Sequence, residues 1–472
     1  MSFVSFSFVG VQLAALVERA LTRRSRVTFL VGLLALSWLF YAWNVPEYLL
    51  LIVFSTTVAF GAGRLLAATP FSERAARRGL LAASLALNVG VLAYFKYAAF
   101  LSRSWISLAG GLGFWTPEVT AADIVLPIGV SFYTFEAISY TVDVYRGRIQ
   151  AERSFLRLAC FIAFFPHLVA GPIVRGQEFL YQLERPRRIR MRVFAEGTYL
   201  VIRGLFLKMV VADNLGHIVD QHWRTAGAGK LSGTLAMTLL IFFACQLFCD
   251  FAGYTDIARG LAYQLGFRLP INFDAPYLAA TFTEFWRRWH MTLSRWMRDY
   301  LYIPLGGNRR GPVRVGFNVV LVMLVAGLWH GASWTFVAWG AIHGIALLLE
   351  RALGLARDAR GMLTRAVWYV VVQMTWILSL GMFRAEDIPQ GFLVIQNAIT
   401  GLATLPSPVP AAIAIGWWFV LPVVALHARS LFTERRWLAA TSGLERAAYA
   451  GAMSAAILTL YTTGREFIYF RF

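Results

Sequence analysis

Charge is scarce in this sequence. Asp, Glu, Lys and Arg together make up 15% of 472 residues, where an average soluble domain has about 25%. Hydrophobic residues reach 58% and the mean hydropathy is +0.60. So few charges cannot cover a water-soluble fold of this size, and the natural solvent is lipid. The same composition excludes intrinsic disorder and a collagen-like fibre. Cysteine is nearly missing: Cys160, Cys245 and Cys249 all lie in apolar runs. They match no zinc or redox spacing and are too few for a disulfide scaffold, so they are read as small apolar core residues. Lysine is confined to Lys96, Lys208 and Lys230.

Several catalytic signatures are missing as well. There is no Gly-x-Ser-x-Gly, hence no nucleophile elbow. No histidine has an aspartate five residues later. Gly227-Ala-Gly229-Lys230 is not a phosphate loop, because Arg224 stands where the first glycine belongs and Leu231 follows the lysine. No metal site is expected.

What charge there is leans one way, with 44 basic against 25 acidic residues and a net charge of +19. In a soluble protein that excess would suggest nucleic acid. Here the basic residues flank apolar runs, which is the positive-inside signal. Lipid is therefore the expected environment, and no nucleic-acid partner is expected.

The apolar runs are Met1–Val17, Val27–Trp43, Tyr48–Ala68, Gly79–Tyr97, Ile124–Val144, Phe155–Val174, Val193–Ala212, Leu231–Ala252, Phe317–Trp329, Trp334–Leu349, Ala366–Phe383, Val409–His427 and Arg446–Thr463. The first has no basic n-region and no small-residue cleavage site and reads as a retained helix. Most approach the length that crosses a hydrocarbon core, and only helices fit. The expectation is an all-α polytopic protein with about 10–13 transmembrane helices, some short or broken by Gly and Pro. Arg23, Arg24 and Arg26 place the first connection in the cytoplasm, with Arg185, Arg187, Arg188, Arg190 and Arg192 on the same side. No linker or repeat divides the chain, so residues 1–472 are expected to form one membrane-embedded domain.

Ionisable residues at membrane depth are functional candidates by default, and they concentrate between residues 126 and 344. Glu136 and Asp143 lie two turns apart on one helix face; ion pairing with arginines is favoured over an acid–base pair. Phe164-Phe-Pro-His167, followed by Gly171-Pro172, marks a helix break that His167 would cap or orient. Asp250 and Asp256 read as ion-pair members, with Arg259 a candidate partner. Thr281–Tyr302 reads as one amphipathic helix with a capping box, Thr281 and Glu284, and a Glu284–Arg288 pair. Phe285, Trp289, Trp296 and Tyr300 form its aromatic face, and His290 sits at the edge of the apolar one.

His330 is placed differently. It lies 12 residues beyond Asn318, about 18 Å along a helix. Gly331 stops that helix and Ser333 caps the next. A histidine at such a break is far from bulk water, where desolvation disfavours imidazolium. A neutral imidazole can take a proton from an alcohol or thiol. The alternative is a hydrogen-bonded helix-end histidine, and chemistry alone leaves both open.

With these motifs in view the chain resembles the membrane-bound O-acyltransferase (MBOAT) family, most closely its bacterial alginate O-acetyltransferase branch. The likeness runs through Leu126–Gly147, Phe164–Phe179, Gly204–Leu215, Cys249–Gly260, Asn272–Gly311 and Ala326–Gly344, with Glu466–Phe472 adding to it. Its most specific parts are Trp286-Arg-Arg-Trp-His290 and Leu328-Trp-His330-Gly. The motif-bearing core is thus about residues 120–350.

The resemblance implies helices around a central tunnel, with His330 as catalytic histidine and His290 as the second. It implies transfer of an acyl group, expected to be acetyl, from a cytoplasmic donor to an exopolysaccharide such as alginate. His330 would act as general base, and His290 would position the acyl carbonyl. It also implies a plasma-membrane location, a periplasmic acyltransferase partner, no tightly bound cofactor, and acetyl-coenzyme A or an acyl carrier as donor. D-alanyl transfer from a carrier protein to a cell-envelope polymer is a second reading. Arg287, Arg288, Arg309 and Arg310 would suit either donor or lipid. A transporter or a non-catalytic export subunit is the rival class; both would tolerate loss of His330.

Overall fold

The computed structural model describes residues 6–22, 25–43, 45–113, 126–184, 189–227, 232–355, 361–401, 410–432, 443–462 and 467–468. Arg23, Arg24, Arg185, Arg187, Arg188, residues 228–231 and most of the C-terminal heptapeptide lie outside the described residues. Helix is the sole regular structure among the described residues. The chain divides into two compact units, Met1–Thr198 with Ala258–Pro270, and Tyr199–Ile257 with Ile271–Phe472.

The first unit begins with α1 (Phe6–Leu21), α2 (Arg26–Ala42), α3 (Leu49–Ala68) and α4 (Arg74–Gly111). Ser25 caps α2 by accepting from the Thr28 N–H, as an N-cap serine does. The 38 residues of α4 span about 57 Å, well beyond one hydrocarbon core. After it come α5 (Val130–Tyr145), α6 (Phe155–Ile162), α7 (Phe165–Leu168), α8 (Gly176–Glu184) and α9 (Met191–Leu205). Every residue of α5 from Val130 to Val144 is buried, so this helix is enclosed by protein on all sides.

The expected span Phe155–Val174 is cut into two short pieces, α6 and α7. Pro166 lies in the first turn of the second, where the helix needs no N–H. His167 stands beside Glu136 at 3.0 Å. The Val174 N–H also donates to Glu136, at 3.3 Å. Glu136 thus ties the irregular backbone to α5, with a histidine rather than an arginine beside it. Asp143 pairs with Arg148.

The second unit contains α10 (Asp213–Gly227), most of α11 (Gly233–Gln264), α12 (Phe282–Arg288), α13 (Met291–Met297), α14 (Gly311–His330) and α15 (Trp334–Ala352). It continues through α16 (Met362–Arg384), α17 (Ile388–Thr400), α18 (Ala411–Phe432) and α19 (Gly443–Leu460). A seven-residue π-helical turn, Phe206–Ala212, precedes α10. It carries Lys208, whose ammonium lies 2.8 Å from Asp213 and 2.7 Å from Asp250. Asp256 is held by Arg203, with guanidinium–carboxylate distances of 2.5 and 2.8 Å. Both clusters are buried, and pairing is what makes buried charge tolerable.

Six helices among the described residues are long and apolar enough to cross a membrane: Pro46–Ala68, Arg74–Gly111, Gly233–Gln264, Gly311–His330, Met362–Arg384 and Ala411–Leu431. The molecule is an all-α, multi-pass membrane protein.

Candidate active site

Two helix breaks in the second unit bring His290 and His330 together. The first falls inside the stretch expected as one helix. α12 ends at Arg288, and His290 has φ +41°, the left-handed region. Residues 272–274 bond across this break and stabilise it. The Met291 N–H donates to the Asn272 carbonyl and the Asp274 N–H to the Arg288 carbonyl. Asn272 Oδ1 accepts from both Thr292 N–H and Thr292 Oγ1. The remaining local features match expectation. Thr281 caps α12 through the Glu284 N–H, and Glu284 pairs with Arg288 at 2.9 Å. The return bond from Glu284 goes to the Ala280 N–H instead of Thr281.

His290 itself caps α13: its Nδ1 accepts from the Leu293 N–H at 3.4 Å. An accepting Nδ1 places the proton of a neutral imidazole on Nε2. That Nε2 is buried and has no hydrogen-bond partner among the described residues. Complete burial holds the His290 pKa down, from 6.5 to about 3, because a cation there would be desolvated. His290 is therefore a neutral donor.

The second break is where α14 ends at His330, with Gly331 extended and Ser333 capping α15. Across this break α14 and α15 pack backbone to backbone. A Cβ at Gly327 would lie 2.2 Å from the Phe336 carbonyl oxygen, and one at Gly340 would lie 2.4 Å from that of Met323. Glycine alone permits this approach.

The His290 and His330 rings lie 6.5 Å apart, centroid to centroid. Aromatic rings surround them. Trp329, Trp339 and Phe383 stand 5.1, 5.1 and 5.3 Å from His330. Phe251 stands 4.6 Å from His290. Trp376 lies beyond Trp339. Both histidines are nearly inaccessible, at 0% and 3% exposure. The indole N–H groups of Trp339 and Trp376 are also buried without a partner among the described residues. Unpartnered buried donors are costly, and several of them in one apolar box suit an occupant with acceptor oxygens.

His343 belongs to this neighbourhood, although the sequence reading gave it no role. Its ring lies 4.8 Å from Trp339 and 5.7 Å from Trp376, and its Nε2 is 3.0 Å from Ser379 Oγ. Trp339 and His343 are four residues apart on α15, a spacing that puts both on one face. His167 belongs to the first unit and supports the break there.

The profile described as MBOAT, membrane-bound O-acyltransferase family, matches residues 81–383. The chain belongs to this family. It is 41% identical over 362 residues to a probable alginate O-acetylase AlgI of Pseudomonas aeruginosa, covering 75% of this chain and 67% of that one. It is 34% identical over 395 residues to a peptidoglycan O-acetyltransferase of Helicobacter pylori, covering 77% and 72%. A teichoic acid D-alanyltransferase of Streptococcus thermophilus is 30% identical over 290 residues, covering 58% and 69%. This MBOAT protein is thus a membrane-bound acyltransferase.

Proposed function

We propose that this acyltransferase moves a short acyl group, acetyl, from a cytoplasmic thioester donor across the plasma membrane for O-acetylation of an exopolysaccharide such as alginate. The donor is acetyl-coenzyme A or an acyl carrier. A periplasmic acyltransferase partner completes delivery, and no tightly bound cofactor takes part.

In this reading the acceptor hydroxyl attacks the acyl carbonyl while His330 removes its proton. A carbon–oxygen bond forms, the carbon–sulfur bond breaks, and the leaving thiolate takes the proton back from His330. His290 donates its Nε2–H to the carbonyl oxygen, which gains negative charge as the tetrahedral intermediate forms. Both roles require neutral imidazoles away from water.

The observation that carries this reading is the pairing of His290 and His330 within one buried aromatic box. The bare indole N–H groups beside them add support, since an acyl ester or thioester offers acceptors. The relatives named above supply the acetyl and glycan parts of the proposal.

The test is the amount of ester-linked acyl on the exopolysaccharide of cells carrying the wild type, a deletion or His330→Ala, with membrane levels matched by blot. Loss in both the deletion and His330→Ala supports transfer through this histidine, and the released acid identifies the acyl group. Normal acylation by His330→Ala overturns the assignment and favours an export or transport role.

A further inference from the structure

The first unit contains a cleft of about 870 Å³ far along the chain from the histidine motifs. Its walls are the end of α3, the turn before α4, and the segment following α5. Four guanidinium-bearing residues line it, Arg64, Arg77, Arg148 and Arg153, and no carboxylate does.

These four arginines are not equivalent. Arg77 is buried and donates to three backbone carbonyls, those of Leu66, Thr69 and Tyr145. It caps the ends of α3 and α5, where helix dipoles favour a cation. Its charge is spent on the fold. Arg148 is paired with Asp143 at 3.4 Å. Glu152, the nearest other carboxylate in sequence, accepts from the N–H groups of Arg153 and Ser154 and pairs with the Arg157 side chain. The guanidinium groups of Arg64 and Arg153 pair with no carboxylate among the described residues, and both residues are exposed. Two like charges facing one cleft without a counter-charge call for an anion.

The place narrows the ligand. Pro46–Ala68 and Arg74–Gly111 are both membrane-spanning by length and composition, so the turn joining them lies on one face of the membrane, outside the hydrocarbon. Phe71, 68% exposed, gives the rim an apolar edge. The volume lies in the range of ligand sites, about 300–1,000 Å³, far larger than a bare anion needs. Arginine binds phosphate oxygens with fixed two-pronged geometry.

We propose that this cleft binds a phosphate ester through Arg64 and Arg153. That chemistry has two sources at a membrane surface, an anionic phospholipid headgroup and the phosphates of a soluble nucleotide.

The test uses the full-length protein in nanodiscs. Retention of phosphatidylglycerol over phosphatidylcholine is read by native mass spectrometry. Binding of coenzyme A and of inorganic pyrophosphate is read by calorimetry. The double variant Arg64→Gln/Arg153→Gln leaves the Arg77 bonds intact. Arg74→Gln/Arg78→Gln removes equal charge from residues that do not line the cleft. A tenfold or greater loss in the first variant alone supports the site, and the probe that is lost, lipid or soluble, names the source. Equal loss in both variants, or no binding of any probe by the wild type, overturns the proposal.

Discussion

The main-chain N–H of Ile468 donates to Asp250 Oδ2 at 2.7 Å, across 218 residues of sequence. The other oxygen of Asp250 faces Lys208 at 2.7 Å. One buried carboxylate therefore joins the π-helical turn, α11 and Ile468. The neighbouring Phe467 packs on Phe251 and Tyr254, and Phe251 packs on His290. Phe467 thus reaches the histidine site through one intervening ring.

Asp250→Ala removes a partner from a buried ammonium and from a buried N–H at once. Lys208 keeps Asp213 as a partner, so the loss should fall below the about 3–5 kcal/mol of a buried pair broken completely from one side. The expected outcome is a lower unfolding temperature of the detergent-purified protein together with reduced acyl transfer. Asp250→Asn keeps an acceptor for Ile468 and should lose less stability than the alanine variant. Equal melting of wild type and Asp250→Ala would show that the carboxylate does not hold these segments.

Gly327→Ala tests the α14–α15 packing. The added carbon would meet the Phe336 carbonyl at 2.2 Å, and backbone cannot yield as a side chain can. The helices must separate, and His330 on α14 then shifts against Trp339 on α15. Overpacking of this kind costs about 1–3 kcal/mol. Thermal stability and acyl transfer should fall together, whereas Gly90→Ala, inside α4 with nothing within 4 Å, should lower neither.

Features set by adjacent residues were legible in the sequence. The Gly331 stop, the Ser333 cap, the Thr281 cap and the Glu284–Arg288 pair all follow from spacing alone. The break at His290 was not legible, because helical periodicity continues through Trp289 and Met291. It is imposed by Asn272 and Asp274, which bond to the broken turn from outside it. Lys208 with Asp250 and Arg203 with Asp256 were hidden for a similar reason: partners 42 and 53 residues apart leave no local pattern. His343 was overlooked although its spacing from Trp339 could have marked it.

His343 and Ser379 form a second test of the site. Ser379 Oγ donates to the Trp376 carbonyl at 2.8 Å, so it accepts from His343 Nε2. That leaves His343 Nδ1 as an acceptor, without a partner among the described residues. Ser379→Ala removes one hydrogen bond, a loss of about 1 kcal/mol. If His343 positions the Trp339 wall, His343→Ala and Ser379→Ala should lower kcat with little change in the KM for the donor, the serine variant less. A change in KM alone would place His343 in donor binding instead.

His290 offers the sharpest separation of fold from chemistry. Its backbone is left-handed at φ +41° and its Nδ1 caps α13. Asparagine tolerates that conformation and is itself a good cap, but it brings no donor to the position of Nε2. His290→Asn should therefore lose less thermal stability than His290→Ala and about 10²–10³-fold in kcat, the usual effect of removing one donor to a developing oxyanion. His290→Ala should lose both, because the cap goes with the ring. The pH profile adds a separate check. Burial displaces protonation of His290 from 6.5 to about 3, so the ring gains its proton only well below neutral pH and stays a neutral donor from pH 5 to 8. An acid limb of activity in that range must then come from another group. The residual activity of His290→Asn should show the same acid limb as the wild type. A limb that vanishes in His290→Asn would mean that His290 titrates near neutrality and acts as a base, which exchanges the roles of the two histidines.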